Sequence, residues 1–127
     1  MARRQVIEVH GLGHSNPIPL AVKIGSMVFS GGISGQDPAT GKVPSDPGEQ
    51  IVLAFQNMQK IVEAAGGTTD DIAKVVVYLR DMKLREPVNV EWVKMFPDAE
   101  NRPVRHTMPS ESPTNPGIQL EMTAVLP

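Results

Sequence analysis

Residues 45–67 carry a full set of helix instructions, and any fold for this chain must accommodate them. Asp46 stands at the N-cap position, Pro47 at the first helical position and Glu49 at the third. The Asp carboxylate can accept an orphan N–H of the first turn, and proline lacks the N–H that would otherwise be unsatisfied there. Ile51, Phe55, Met58, Val62 and Ala65 then recur at alternating four- and three-residue steps, which places them on one helical face. Gly66-Gly67 supplies the stop. A helix with one such apolar face needs a second layer to cover it, so the Met and Phe stripe reads as core.

The rest of the chain supplies that layer as strands. Residues 21–24 and 27–30 are β-prone runs flanking Gly25-Ser26, a hairpin pattern. Residues 6–9 suit a short edge strand, and residues 37–41 a proline-set turn. Gly31-Gly32 offers bare backbone that a ligand could approach. Thr69-Asp70-Asp71 is a candidate cap for one helical turn. Residues 75–79 form a β-branched run suited to a strand buried on both faces. A second helix is expected from near Pro87, with Val88, Trp92 and Met95 facing the core and Pro97 stopping it. Two last strands, about 105–108 and 119–126, flank a Pro/Ser-rich loop. The order β-β-α-β-α-β-β predicts a single α+β domain over residues 1–127, with two helices packed on one face of a mixed sheet.

Composition removes several function classes. Net charge is −2, aromatics are 4% and the Lys and Arg residues are scattered, so nothing resembles a basic stripe with stacking platforms for nucleic acid. With no cysteine there is no disulfide, thiolate nucleophile or Cys-ligated zinc. His10 and His14 are four apart in a Gly-rich loop, without a convincing third ligand, so no metal is expected. Ser30 has no His-Asp/Glu pattern to activate it, and the Gly-rich stretches fit neither a phosphate loop nor a dinucleotide fingerprint. The opening Met1-Ala2-Arg3-Arg4 lacks the apolar run of a signal peptide, and no segment approaches the roughly 20 apolar residues of a membrane span. A cytoplasmic protein without a membrane partner is expected.

The last strand alternates, with Leu120, Met122, Ala124 and Leu126 on one face and Gln119, Glu121, Thr123 and Val125 on the other. On the residues alone, Glu121 there reads first as a solvated carboxylate. Arg105 alternates with His106 and shares a side with Thr107. An Arg and a Glu on nearby strands could form a plain surface ion pair, which is worth little.

Several segments together resemble one family. They are Ala21-Val22-Lys23-Ile24-Gly25, Val28-Phe29-Ser30-Gly31, Asp37-Pro38-Ala39-Thr40-Gly41-Lys42, Ala64-Ala65-Gly66, the run from Lys74 through Met82, Val88-Asn89, Arg102-Pro103-Val104-Arg105 and Leu120-Glu121-Met122-Thr123-Ala124. In this order, over nearly the whole chain, they resemble the RidA (reactive intermediate deaminase, YjgF-like) family. The Pro-x-Arg element and the late Glu are the most specific parts. The resemblance implies a chorismate-mutase-like fold and a homotrimer with sites between subunits. It also implies cofactor-free hydrolysis of enamine and imine acids to ammonia and a keto acid. Arg105 matches the arginine that holds the substrate carboxylate, and Glu121 the glutamate that positions water. Gly31 matches a position where backbone faces the ligand, and Asn89 a helix asparagine near the site. The roles are chemically sound: arginine grips a carboxylate through two charge-assisted bonds, and a glutamate can take a proton from water attacking an already electrophilic carbon.

The chain also departs from the family. Pro17-Ile18-Pro19-Leu20 stands where Pro-Tyr-Ser-Gln is usual, so Ile18 replaces an aromatic pocket wall. Gly32 replaces a common Gln and opens space. Thr107 occupies a position often held by Cys or Ser. The loop from Pro109 to Gly117 is one residue longer, so its site proline is Pro113 or Pro116. These changes point to a larger or more polar acid than small amino-acid imines, an aminomuconate type included. A non-catalytic module binding a small carboxylate is the second reading. A ribonuclease or translation inhibitor is the third, and the acidic balance and scarce aromatics disfavour it.

Overall fold

The computed structural model describes residues 2–127; Met1, the first residue of the basic opening stretch, lies outside them. The elements are β1 (Gln5–Ile7), β2 (Ala21–Ile24), β3 (Met27–Ser30), β4 (Ile33–Ser34), α1 (Pro47–Ala64), β5 (Ile72–Leu79), α2 (Arg85–Met95), β6 (Val104–Pro109) and β7 (Ile118–Val125). The strands form one sheet in the order β1-β2-β3-β7-β5-β6, with β4 pairing β7 beyond the end of β3. Only β5 and β6, joined through α2, run parallel, so the sheet is mixed as expected.

α1 forms where its signals lie. The Asp46 carboxylate accepts the Glu49 N–H at 3.0 Å, and Gly66 takes a positive φ just past the last turn. The whole stripe from Ile51 to Ala65 is buried, joined by Ala54 and Ile61, and packs on Leu120, Met122 and Ala124 of β7. Burying each large side chain contributes roughly 1.5–3 kcal/mol before entropy is counted. Gly35 lets α1 approach β4 closely, since a side chain there would strike the Gln50 backbone. Asn57, buried on α1, ties the helix to that corner through the Ser34 and Gln36 carbonyls at 3.0 and 2.8 Å.

Local boundaries shift by up to three residues, the most at β5, which starts at Ile72 rather than Val75. The edge strand is 5–7 rather than 6–9, because only Gln5, Val6 and Ile7 find partners on β2. α2 starts at Arg85, after a tight turn of 3₁₀ helix (Met82–Leu84) capped by Asp81, so Pro87 falls within its first turn. The turn at Thr69–Asp71 is capped by Thr68, not Thr69, in a reciprocal capping box with Asp71.

One expectation fails more instructively. β5 is not buried on both faces: Val75, Val77 and Leu79 are fully buried, whereas Val76 and Tyr78 stay partly exposed. Both helices lie on one side of the sheet, so a Val-rich run has only one covered face within the chain. The open face carries exposed Val6, Met27, Phe29, Val104, Met108 and Val125. No helix of the described residues is long and apolar enough to cross a membrane.

Candidate active site

Strand register decides what the candidate residues can do. On edge strand β6, Arg105 lies beside Val75 and Thr107 beside Val77, both on the helix-covered face. There the Arg105 Nε donates to Thr107 Oγ1 at 3.0 Å and its Nη2 donates to Asn89 Oδ1 at 2.6 Å. Its Cζ rests 5.0 Å from the centroid of the Trp92 ring, which is packed edge-on against Phe96 at 4.8 Å. Asn89 and Trp92 are three residues apart on α2, hence neighbours on its surface. Three site residues expected from the resemblance, Arg105, Asn89 and Thr107, thus form one cluster. Trp92, read from sequence as core alone, completes it by offering a π face to the cation.

Arg105 has no counter-ion among the described residues. The only ion pair among the described residues is Lys94–Glu91 at 3.2 Å on the outer side of α2. Partial burial lowers the Arg105 pKa, and the nearby Arg85 charge lowers it further. A half-buried guanidinium is therefore held rigidly by neutral acceptors and an aromatic ring, with N–H groups left for an anion.

Glu121 occupies the other side. It pairs in register with Val76, and its carboxylate stands exposed on the open face. The Tyr78 hydroxyl, diagonal to it on β5, donates to Glu121 Oε2 at 3.3 Å. The phenol pKa is raised by partial burial and then by the Glu121 charge and hydrogen bond. Sequence reading missed Tyr78; its alternation on β5 with Val77 was the available signal. Arg105 and Glu121 therefore lie on opposite faces with β5 between their strands. Within one chain they form neither a joint site nor the surface ion pair that nearby strands allowed, because β5 lies between their strands and their side chains leave opposite faces.

The glycines and Ile18 lie near the β3–β4 corner. There Ser30 Oγ accepts the Met122 N–H and donates to the Gly31 carbonyl, both at 2.8 Å, patching the ladder where β3 leaves β7. Gly31 N–H is spent on the Leu20 carbonyl at 2.9 Å, so only its carbonyl retains a free lone pair. Gly32 is exposed and faces the Gln119 side chain. Ile18 is 61% exposed on the preceding loop, on a shallow groove with Val6 and Glu8 and away from Arg105. The 109–117 loop is pinned by Arg80 Nη1 to the Ser112 and Asn115 carbonyls at 3.2 and 3.1 Å, and by buried Asn115 to the Tyr78 carbonyl. Both Pro113 and Pro116 line the cleft at this corner. Among the described residues no group of three or more His, Cys, Asp or Glu side chains could hold a metal ion.

This architecture has close counterparts. The model of the family described as Endoribonuclease L-PSP matches residues 14–126. A RutC family protein of Aquifex aeolicus is 33% identical over 110 residues, covering 86% of this chain and 88% of that protein. The crystal structure of RidA from an Antarctic Psychrobacter superposes with a TM-score of 0.88 at 27% identity, over 97% of this chain and 100% of the other. Escherichia coli TdcF with bound serine gives 0.87 at 29% identity, over 97% and 99%. With a family match over almost its whole length and the same sheet-and-two-helix fold, the chain belongs to the YjgF/RidA family.

Proposed function

We propose that this protein hydrolyses reactive enamine and imine acids to a keto acid and ammonia, at sites assembled between copies of the chain. The observation that carries this reading is Arg105: a rigid, half-buried guanidinium with no carboxylate of its own. A 2-imino acid supplies the missing carboxylate and is held by charge-assisted bonds. Its imine carbon is then fixed beside a water on Glu121, which recovers part of the entropy of bringing the two together. As the C–O bond forms, Glu121 accepts a proton from the water. That proton passes to the nitrogen, giving a carbinolamine, and the new hydroxyl's proton follows it through Glu121 as the C–N bond breaks, so that ammonia leaves. The keto acid remains, so one imine and one water give one keto acid and one ammonia. Neither metal nor cofactor is needed in this scheme.

Opposite faces of one sheet cannot close on one substrate. Arg105, Asn89 and Thr107 of one copy would meet Glu121 and Gly31 of the next. The open face, with its exposed Met27, Phe29 and Val125, is the natural seat for that neighbour. Contact between two different patches propagates head to tail, and a 120° rotation between copies would close it into a three-membered ring, a homotrimer. The family's endoribonuclease description is disfavoured here by the net charge of −2 and the 4% aromatic content.

The test is ammonia release from freshly generated 2-imino acids above the uncatalysed rate. The wild type should accelerate it and Arg105→Ala should not saturate with carboxylated substrates. Equal kcat/KM for the two proteins would remove Arg105 from the site.

A further inference from the structure

A cleft of about 610 Å³ opens at the β3–β4 corner, between residues 12–16 and the 113–116 loop. That volume falls in the range of pockets that bury drug-sized ligands and far exceeds what a three-carbon imine fills. Gly32, Ile33, Ser34 and Gln119 form part of its wall. Gln119 precedes Glu121 by two residues on β7 and shares its face, so the cleft begins about 7 Å along the strand from the carboxylate. Gln119 Nε2 donates to the Thr114 carbonyl at 3.2 Å, which fixes the amide and turns Oε1 toward Gly32. A Cβ at position 32 would stand 3.3 Å from that oxygen. Any longer side chain there would fill the space in front of it, so the glycine keeps a fixed acceptor open to the cleft.

The wall contains no Lys, Arg, Asp or Glu. Its one ionisable residue is His14, whose Nδ1 is occupied by the Asn16 N–H at 3.2 Å. A second carboxylate placed here would lose water and find no Lys or Arg partner, which is costly. An uncharged tail loses little, and one ending in an N–H or O–H gains Gln119 Oε1.

We propose that Gly32 and Gln119 set the substrate class: 2-imino monocarboxylic acids with a long, uncharged side chain that ends in a hydrogen-bond donor. The inference rests on the imine-hydrolase reading and refines it. It keeps the larger substrate expected from the sequence and rejects the aminomuconate type, whose second carboxylate has no Lys or Arg partner in the cleft.

The experiment compares kcat/KM on imines generated in place from alanine, methionine, glutamine and glutamate, for wild type, Gly32→Val, Gly32→Ala and Gln119→Leu. Circular dichroism melts confirm folding, and the alanine substitution serves if the valine does not fold. Wild type should prefer the glutamine-derived over the glutamate-derived imine by about 10- to 100-fold, and over the alanine-derived imine by about 10-fold. Gly32→Val should reduce the glutamine-to-alanine ratio about 10-fold. Gln119→Leu should lose the preference for glutamine over methionine while keeping that for length. Equal handling of the glutamate- and glutamine-derived imines would overturn the proposal, as would Gly32 variants that leave the glutamine-to-alanine ratio unchanged. Wild type that accelerates none of the four would instead overturn the hydrolase reading, and this inference with it.

Discussion

α1 enters through a capped first turn and buries eight of its side chains; α2 enters without a side-chain cap and buries two, Val88 and Trp92. Both lie on the same face of the sheet, but they do different work. The α1 stripe closes the core over β7. The inner side of α2 serves two ends: Val88, Trp92 and partly buried Met95 pack on the core, while Asn89 and the ring face of Trp92 hold Arg105. Most of the core packing thus falls to α1 and the contacts to Arg105 fall to α2. Damage to the first should unfold the protein, and damage to the second should leave a folded protein with a poor site.

The largest effect separates chemistry from both helices. Glu121→Gln keeps shape and hydrogen bonding but cannot take a proton, so turnover should fall about 10²- to 10⁴-fold while binding changes little. Steady-state kinetics on a carboxylated imine checks this; full turnover in the mutant would reduce Glu121 to a positioning or surface residue. Next comes the core side of the comparison. Met58 is fully buried on α1, so Met58→Ala should destabilise by about 2–5 kcal/mol in urea unfolding. On α2, Asn89→Ala removes the 2.6 Å bond to the guanidinium and should weaken carboxylate binding by about 1.5–3 kcal/mol with little change in unfolding midpoint. If Asn89→Ala unfolds the protein as Met58→Ala does, the division between the helices is wrong.

The contrast also explains what could be read from the chain. α1 and β7 were legible because a cap, a stop and a period are local: Asp46, Gly66 and the alternation from Gln119 to Leu126 need no partner. The faces of β5 were not, since Val75 through Val77 carry the same apolar signal whether one side is covered or two. The site was half legible. Alternation correctly put Arg105 and Thr107 on one side, and the resemblance added Asn89. Alternation cannot say whether the Arg105 side of β6 is the Glu121 side of β7. That depends on register through β5, where Val75 meets both Arg105 and Met122, and Val76 meets Glu121. Trp92 was hidden by its chemistry, because a buried tryptophan looks like core until a cation is found on its face.

The smallest effect probes the open face. Tyr78→Phe removes one exposed hydrogen bond to Glu121 and should cost under about 1 kcal/mol. The phenol pKa is raised in the folded protein, so its contribution is fully present below the ordinary tyrosine value of 10.0 and is lost as pH rises through the folded value. The stability gap between wild type and Tyr78→Phe should therefore shrink as pH rises above about 10. A gap that widens would contradict the pairing.

The central claim is that the Arg105 half and the Glu121 half of each site come from different copies. Subunit complementation tests it most directly. Arg105→Ala and Glu121→Gln, each inactive alone, are unfolded together at equal amounts, refolded and assayed for imine hydrolysis. In a three-membered ring with head-to-tail sites, random mixing leaves about one site in four with both residues intact. The mixture should therefore recover about a quarter of wild-type activity. A refolded mixture no more active than either variant alone, although its oligomers are mixed, would contradict a shared site.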